Sequence, residues 1–338
     1  MGKQQQQFEI DAPVTSTNGV QTFEIHVSKG FSGLELTSVT HVLATTNAIL
    51  EREQFCWRFS TDAPGLVSSD QGALVRAEPS IGDHRLADAM IVVGGRNAAQ
   101  TTWLSRARAM QRKARPVVLL SDAATGYIKA TKAPAGHVTT HWSDVTPLVE
   151  TGYHPKLTTR LSENSDGIIT AAGAGATMEL IVGLVSPYLT SPQLAELGNR
   201  LLLQTIRKSH AEQPRSISDN EGLFDARLTE VIRLMEETVH EPMLMEDITR
   251  EVGMSTRHLE RVFRAVFNVS PARFYRSLRV KRARAMIEES LLPLIDIAVA
   301  TGFGSCTTMT KSIKSEYGMT PTQMRKRKTV QLLTHGVT

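Results

Sequence analysis

Two helix–glycine–helix units in the last hundred residues, one on each side of a long helix that opens with proline, constrain this chain more than any other feature. The first unit is LMEDITREVGMSTRHLERVFRAV (244–266). An apolar-periodic helix ends at Gly253, and Ser255 stands where a helix N-cap belongs. In the following helix Leu259, Val262 and Phe263 recur at i, i+3 and i+4, so they face inward, and Arg257, His258, Glu260, Arg261 and Arg264 face outward. The second unit is LIDIAVATGFGSCTTMTKSIKSEYG (294–318). Here Ile295, Ala298 and Val299 are expected to pack inward, Gly302 to make the turn and Ser305 to cap the next helix. Met309 and Ile313 are then buried, and Thr307, Thr308, Lys311 and Lys314 are left outside. Between the units, PARFYRSLRVKRARAMIEES (271–290) carries proline at a position suited to a first helical turn.

Charge follows the same map. From Arg257 to Lys328 there are 15 Lys/Arg and five Asp/Glu, a local +10 in a chain whose net charge is +4. Positive charge on such helices is the footprint of a polyanion. In a helix-turn-helix the second helix enters the major groove and its outward residues reach bases and phosphates, with arginine a bidentate donor. Two units joined by one helix can meet successive major grooves about 34 Å apart, at the cost of some DNA bending. The closing run RKRK (325–328) reads equally as a solvated end or a phosphate contact. A preceding amphipathic helix, ARLTEVIRLMEETV (226–239), turns Leu228, Val231, Ile232, Leu234 and Met235 to one side.

Residues 22 to about 190 alternate between strand-like and helix-like segments. TFEIHVS (22–28), FCWRFST (55–61), AMIVVGG (89–95), PVVLL (116–120), HVTTHW (137–142) and GIITAAG (167–173) read as strands. Stretches 36–52, 99–114, 175–189 and 191–204 read as helices. Such alternation predicts a mostly parallel sheet with helices on both faces. The expected organisation is a polar leader (1–20), an α/β domain (21–205), a linker (206–224), an all-α domain (225–328) and a tail (329–338). No apolar run reaches the length of a membrane span, and the leader lacks the apolar core of a signal peptide. Cys56 and Cys306 lie far apart and form neither a disulfide framework nor a metal set. A cytoplasmic, nucleoid-associated protein without membrane contact, metal or cofactor is expected.

The all-α half resembles the DNA-binding domain of the AraC/XylS family of transcription regulators. The resemblance is carried by STRHLERVFR, the Pro271-x-x-Phe274 helix start, DIAVATGFGS and KSEYGMTPTQMR. Two departures stand out: Met309-Thr310-Lys311 replaces an aromatic-Ser-Arg run, and Ile313 stands where phenylalanine is usual. The segments GFSGLEL, IVVGG, VTTHW and ITAAGAGATMELIVGLV, with the turn at Ser121, resemble the class I glutamine amidotransferase-like superfamily, in the version fused ahead of AraC-type domains. That resemblance implies a flavodoxin-like α/β fold, with Ser121 at the strand-to-helix turn where catalytic relatives carry cysteine, Glu35 at the acidic position and His141 at the histidine position.

Serine there needs a positioned base, and L-L-S-D-A lacks the glycines of a G-x-S-x-G elbow, so no enzyme activity is expected. One of Ser121 and Asp122 is expected to cap the helix that follows. The turn is also a candidate small-molecule pocket formed by Glu35, Gly95, Arg96, Ser121, Asp122, His141 and Trp142; Glu35 and Trp142 would suit a cationic ligand. The resulting expectation is a homodimeric regulator of double-stranded DNA that responds to a small-molecule effector and activates transcription through RNA polymerase. The alternatives are a hydrolase or amidotransferase with an attached DNA-binding domain, and an architectural DNA binder indifferent to ligand.

Overall fold

The computed structural model describes residues 19–62, 65–79, 85–95, 98, 100–131, 134–150, 156–219, 222–290 and 292–327. Arg96, Lys328, most of the polar leader and the expected tail lie outside this set. Contacts divide the chain into two compact units, 1–213 and 214–338.

The first unit is built on an eight-stranded sheet. Its strands are β1 (Gln21–His26), β2 (Phe55–Thr61), β3 (Gly65–Ser68), β4 (Leu74–Pro79), β5 (Ala89–Val92), β6 (Val117–Leu120), β9 (Ser162–Ser165) and β10 (Ile168–Ala171), in the order β3-β4-β2-β1-β5-β6-β10-β9. The six inner strands are parallel, and β3 and β9 close the edges antiparallel. Burial on both faces explains why β5, β6 and β10 are unbroken apolar or small-residue runs rather than alternating ones. On one face α1 (Gly33–Leu50), α5 (Thr177–Val185) and α6 (Ser191–Arg200) cover a core around Ile25, Val39, Leu43, Phe55 and Ile181. On the other, α2 (Leu104–Arg112) and α3 (Asp122–Ala130) cover Met90, Trp103, Met110 and Ile128. The strand order reverses between β1 and β5, and the carboxyl ends of strands flanking such a point are where α/β folds place ligand sites.

The HVTTHW segment contributes only β7 (Val138–Thr139), which pairs with β8 (Leu157–Thr158) in a separate two-stranded sheet; His141 lies outside it and Trp142 begins α4 (Trp142–Glu150). The polar stretch read as a linker from 206 is bound to the α/β unit over its first half. Leu161 N donates to Ala211 O, Ser162 N to Ser209 O and Gln213 N to Thr159 O. The Gln213 amide is buried and donates to the carbonyls of Thr140 and Arg160. Lack of periodicity made this strap look unstructured, but its hydrogen bonds run to irregular backbone and follow no repeat.

The second unit is helical: α7 (Ala226–Glu237), α8 (Met245–Val252), α9 (Thr256–Phe267), α10 (Pro271–Glu289), α11 (Leu294–Ala300), α12 (Cys306–Tyr317) and a final run over 321–327. Two cores lie side by side along α10. One gathers Leu228, Ile232, Ile248, Leu259, Phe263 and Phe274; the other gathers Val280, Ile287, Ile297, Met309 and Ile313. The inward face of α11 differs from expectation. Ile297 and Ala298 are fully buried, while Ile295 and Val299 are 51% and 61% exposed. With seven residues, the helix is too short for its sequence period to fix its rotation.

Candidate nucleic-acid interface and the strand-to-helix turn

The second unit presents α9 and α12 in matched fashion. Ser255 Oγ accepts from His258 N at 3.2 Å, and Ser305 Oγ accepts from Thr308 N at 3.3 Å, so each helix starts on a satisfied serine cap. Both end on a left-handed residue, Asn268 and Gly318. Leu259 and Phe263 anchor the first helix and Met309 and Ile313 the second; all four are fully buried. A constant offset of fifty residues links the two units: Ser255 with Ser305, Leu259 with Met309, Phe263 with Ile313 and Pro271 with Pro321. The same offset pairs Arg257 with Thr307, His258 with Thr308, Arg261 with Lys311 and Arg264 with Lys314, and all eight are exposed. Glu260 is exposed too and lies 4.0 Å from Arg264. Arg261 Nη2 sits 3.0 Å from His258 Nδ1. Ser255 and Ser305 use their hydroxyls as caps, so their part in an interface is to place the helix start.

The join between the units was not visible in the sequence. Arg279, on α10, lies with its guanidinium 5.5 Å from the ring centres of both Tyr275 and Phe303, and donates to Gly302 O. It therefore touches both cores. Its Nε is buried without a hydrogen-bond partner, and burial lowers its pKa from the usual arginine value. Arg325, first residue of the basic run, donates to the carbonyls of Ile287 and Leu292, so it closes the end of α10.

In the first unit, α1 delivers Glu35 to the carboxyl edge of the sheet. Glu35 is 1% exposed and accepts from Gly94 N and Ala174 N, each at 2.8 Å. Burial raises its pKa above the ordinary carboxylate range, the N–H donors and the Ser121 hydroxyl partly opposing. Ser121 follows β6 with φ +37° and ψ −110°, a strained geometry for a residue with a side chain. A Cβ on Gly94 would run into Ser121 Oγ, and one on Gly173 into Glu35, so two glycines close around this pair.

Several expectations for this turn need correcting. Neither Ser121 nor Asp122 caps α3 with its side chain: Ser121 turns to Glu35, and Asp122 Oδ2 accepts from Gly95 N at 3.0 Å. The glycine turn therefore has no N–H left for a ligand at Gly94 or Gly95; both serve the protein's own carboxylates. His141 does not join Glu35 and Ser121; its Nδ1 sits 2.8 Å from Ser143 Oγ. Thr140, fully buried, reaches the turn instead, with its Oγ1 donating to Ser121 O and lying 2.6 Å from Thr125 Oγ1. His141 lies just past the end of β7 (Val138–Thr139), so the buried side chain that this segment offers to the turn is Thr140. Trp142 is 42% exposed, its ring tilted against that of His141 with centres 5.5 Å apart, and its backbone N donates to Gln213 Oε1.

Residues 248–327 match a family described as a helix-turn-helix domain. The chain is 24% identical over 300 residues to the HTH-type transcriptional regulator GbdR of Pseudomonas aeruginosa, spanning 88% of this chain and 82% of that one. It is 24% identical over 309 residues to the regulator CdhR of the same species (90% and 91%), and 23% over 324 residues to the regulator GlxA of Rhizobium meliloti (94% and 99%). Among solved structures, a THiJ/PfpI family protein from Pseudomonas syringae is 17% identical with a TM-score of 0.47, covering 69% of this chain and 93% of that one. The strand order above, rather than that likeness, defines the architecture. Among the described residues no helix is long and apolar enough to cross a membrane.

Proposed function

For a chain of the AraC-type regulator family, with an amidotransferase-like α/β domain ahead of its helix-turn-helix half, we propose an effector-controlled activator of transcription. The observation that carries the DNA-binding part is the matched pair of serine-capped helices, each buried by two apolar anchors and each exposing arginine, lysine, threonine or histidine at the same four positions. Under this reading Arg257, His258, Arg261, Arg264, Thr307, Thr308, Lys311 and Lys314 contact duplex DNA, Glu260 tunes its arginine neighbours, and Ser255 and Ser305 orient the helix starts.

The α/β domain binds a small metabolite, an amino acid, a betaine or another amine, at the carboxyl edge of its sheet, and pairs with a second copy. Ligand binding shifts the population in which the DNA-binding halves are productively arranged, and the DNA-bound form recruits RNA polymerase. The turn at Ser121 does no chemistry in this reading: the Glu35 carboxylate that its hydroxyl meets is buried and already accepts from Gly94 N and Ala174 N, and the L-L-S-D-A turn lacks the glycines of a nucleophile elbow. The domains of this reading are 21–205 for sensing and 225–328 for DNA.

The test is operator binding by the full chain, measured with and without a metabolite panel and paired with thermal shift of the same samples. A metabolite that raises the melting temperature and changes operator affinity supports the reading. DNA binding indifferent to every stabilising metabolite refutes effector control.

A further inference from the structure

We propose that a polar cavity at the reversal of strand order in the α/β unit takes an uncharged six-carbon sugar. The site stands without the effector-control reading above; only a consequence for DNA binding rests on that reading.

The cavity lies at the carboxyl edge of the sheet. Ser28 and Lys29 follow β1 on the way to α1, while Gln100 and Thr102 precede α2 on the opposite face. These two connections part at the reversal between β1 and β5, where a crevice opens in folds of this kind. Thr61 and Asp62 at the end of β2, with strand β3, complete the wall. Backbone bonds hold that wall in place: Val27 N donates to Ser60 O at 2.8 Å, Gly30 N to Ser68 O at 2.7 Å and Asp70 N to Phe31 O at 2.9 Å. A site fixed in this way loses little freedom on binding. Its volume is about 430 Å³. At roughly 30 Å³ for each water-sized group, it holds on the order of fourteen non-hydrogen atoms, enough for one sugar ring.

The free hydrogen-bonding groups of the cavity select the ligand. Thr61 is only 4% exposed, yet its hydroxyl bonds no described residue. The hydroxyls of Ser28 and Ser68, the Gln100 amide and the Lys29 ammonium are likewise unpartnered among the described residues. Asp62 Oδ2 accepts from Thr102 Oγ1, while its Oδ1 lies 3.9 Å from the buried Nε2 of His26, too far for a hydrogen bond. Burial lowers the His26 pKa, so the ring is uncharged at neutral pH and Asp62 Oδ1 stays open as an acceptor. Three hydroxyls and an amide, which both donate and accept, match a molecule whose own groups do both. Lys29 and Asp62 together oppose a net charge of either sign, since a cation meets the ammonium and an anion the carboxylate. A zwitterion satisfies those two but leaves the hydroxyls unbonded, the buried one on Thr61 included. Val67, also buried, adds apolar surface for the C–H face of a ring.

The experiment uses the full chain and calorimetry with D-glucose, D-galactose and D-mannose. The uronate and the hexosamine of whichever sugar binds follow as charged analogues, with glutamine as the zwitterion. One hexose is expected to bind saturably, at least about tenfold tighter than its uronate, its hexosamine or glutamine. Thr61→Val keeps the side-chain shape and removes a hydroxyl that no described residue bonds, so it should weaken hexose binding by about five- to tenfold. Gln100→Ala should weaken it by a similar factor, about fivefold, and at an exposed position it keeps the test decisive where Thr61→Val melts abnormally. Absence of saturable binding by all three hexoses, equal binding of glutamine or of a charged analogue, or an unchanged affinity in either variant overturns the site. Hexose binding that leaves operator affinity unchanged keeps the site and sinks effector control through it. Absence of hexose binding, with another metabolite shifting operator affinity, sinks the site and keeps effector control.

Discussion

Gly302 and Gly253 make the turns of the two helix-turn-helix units at the same φ, +67°, yet alanine should be tolerated very differently at them. The backbone cost of a left-handed alanine is common to both, about 1 kcal/mol. At Gly253 a Cβ meets nothing within 4 Å. At Gly302 it would lie 2.5 Å from Val239 O and 2.8 Å from Pro242 Cδ, and the carbonyl belongs to the backbone, so the turn or the 239–242 segment must shift. Overpacking of this kind adds about 1–3 kcal/mol. Gly302→Ala is therefore expected to cost about 2–4 kcal/mol in all and Gly253→Ala about 1 kcal/mol. The three tryptophans, Trp57, Trp103 and Trp142, all lie in the first unit, so urea titrations can separate the halves. Tryptophan fluorescence reports the α/β unit, and the helical far-ultraviolet signal reports both. Gly302→Ala should lower the midpoint of the far-ultraviolet transition and leave the fluorescence transition where it was. Equal losses from the two variants, or a moved fluorescence transition, would refute the reasoning.

Other outcomes follow from the same geometry. Ser121→Ala should leave the effector response of a reporter unchanged; turnover of a substrate that vanishes in the variant would defeat the non-enzymatic reading. Glu35 binds its proton more tightly folded than unfolded, so its contribution to stability falls as pH rises from the ordinary carboxylate value through its raised one, then levels off. Glu35→Gln, neutral throughout, should lose that slope in urea midpoints taken across the weakly acidic range. Arg261→Ala and Lys311→Ala, equivalent by the fifty-residue offset, should each weaken specific operator binding by about 1–3 kcal/mol in a mobility-shift titration, and no loss from either would remove these helices from the groove.

Strands β5, β6 and β10 were legible because each is an apolar or small-residue run through its buried length, and the anchors of α9 and α12 because four-residue spacing on a twelve-residue helix leaves one rotation. Strands β3 and β4 were not, since GLVS and LVRAEP expose much of their length and carry no buried run. The pairing of Glu35 with Ser121 could be read by resemblance, but not what surrounds it: Gly94 N, Gly95 N and Ala174 N go to carboxylates 59, 27 and 139 residues away. No local pattern registers partners at such separations. Arg279 escaped notice for a related reason. On a helix rich in exposed arginines nothing in the sequence marks the one that turns in, and only the facing Phe303 and Gly302 O identify it. The fifty-residue offset, by contrast, lay in the sequence throughout, hidden by the different chemistry of each matched pair.

Helix α10 also acts as a ruler. Nineteen residues at 1.5 Å each make it about 28 Å long, and it is the rigid element that both cores share. Inserting one residue would turn everything beyond it by about 100° and advance it by only about 1.5 Å. A duplex offers no compensating move: about three base pairs restore the angle, but they add roughly 10 Å of rise. Under the proposed docking, the separation of the two half-sites in an operator is thus written into the protein as a helix length, and operators can drift in their bases far more easily than in their spacing.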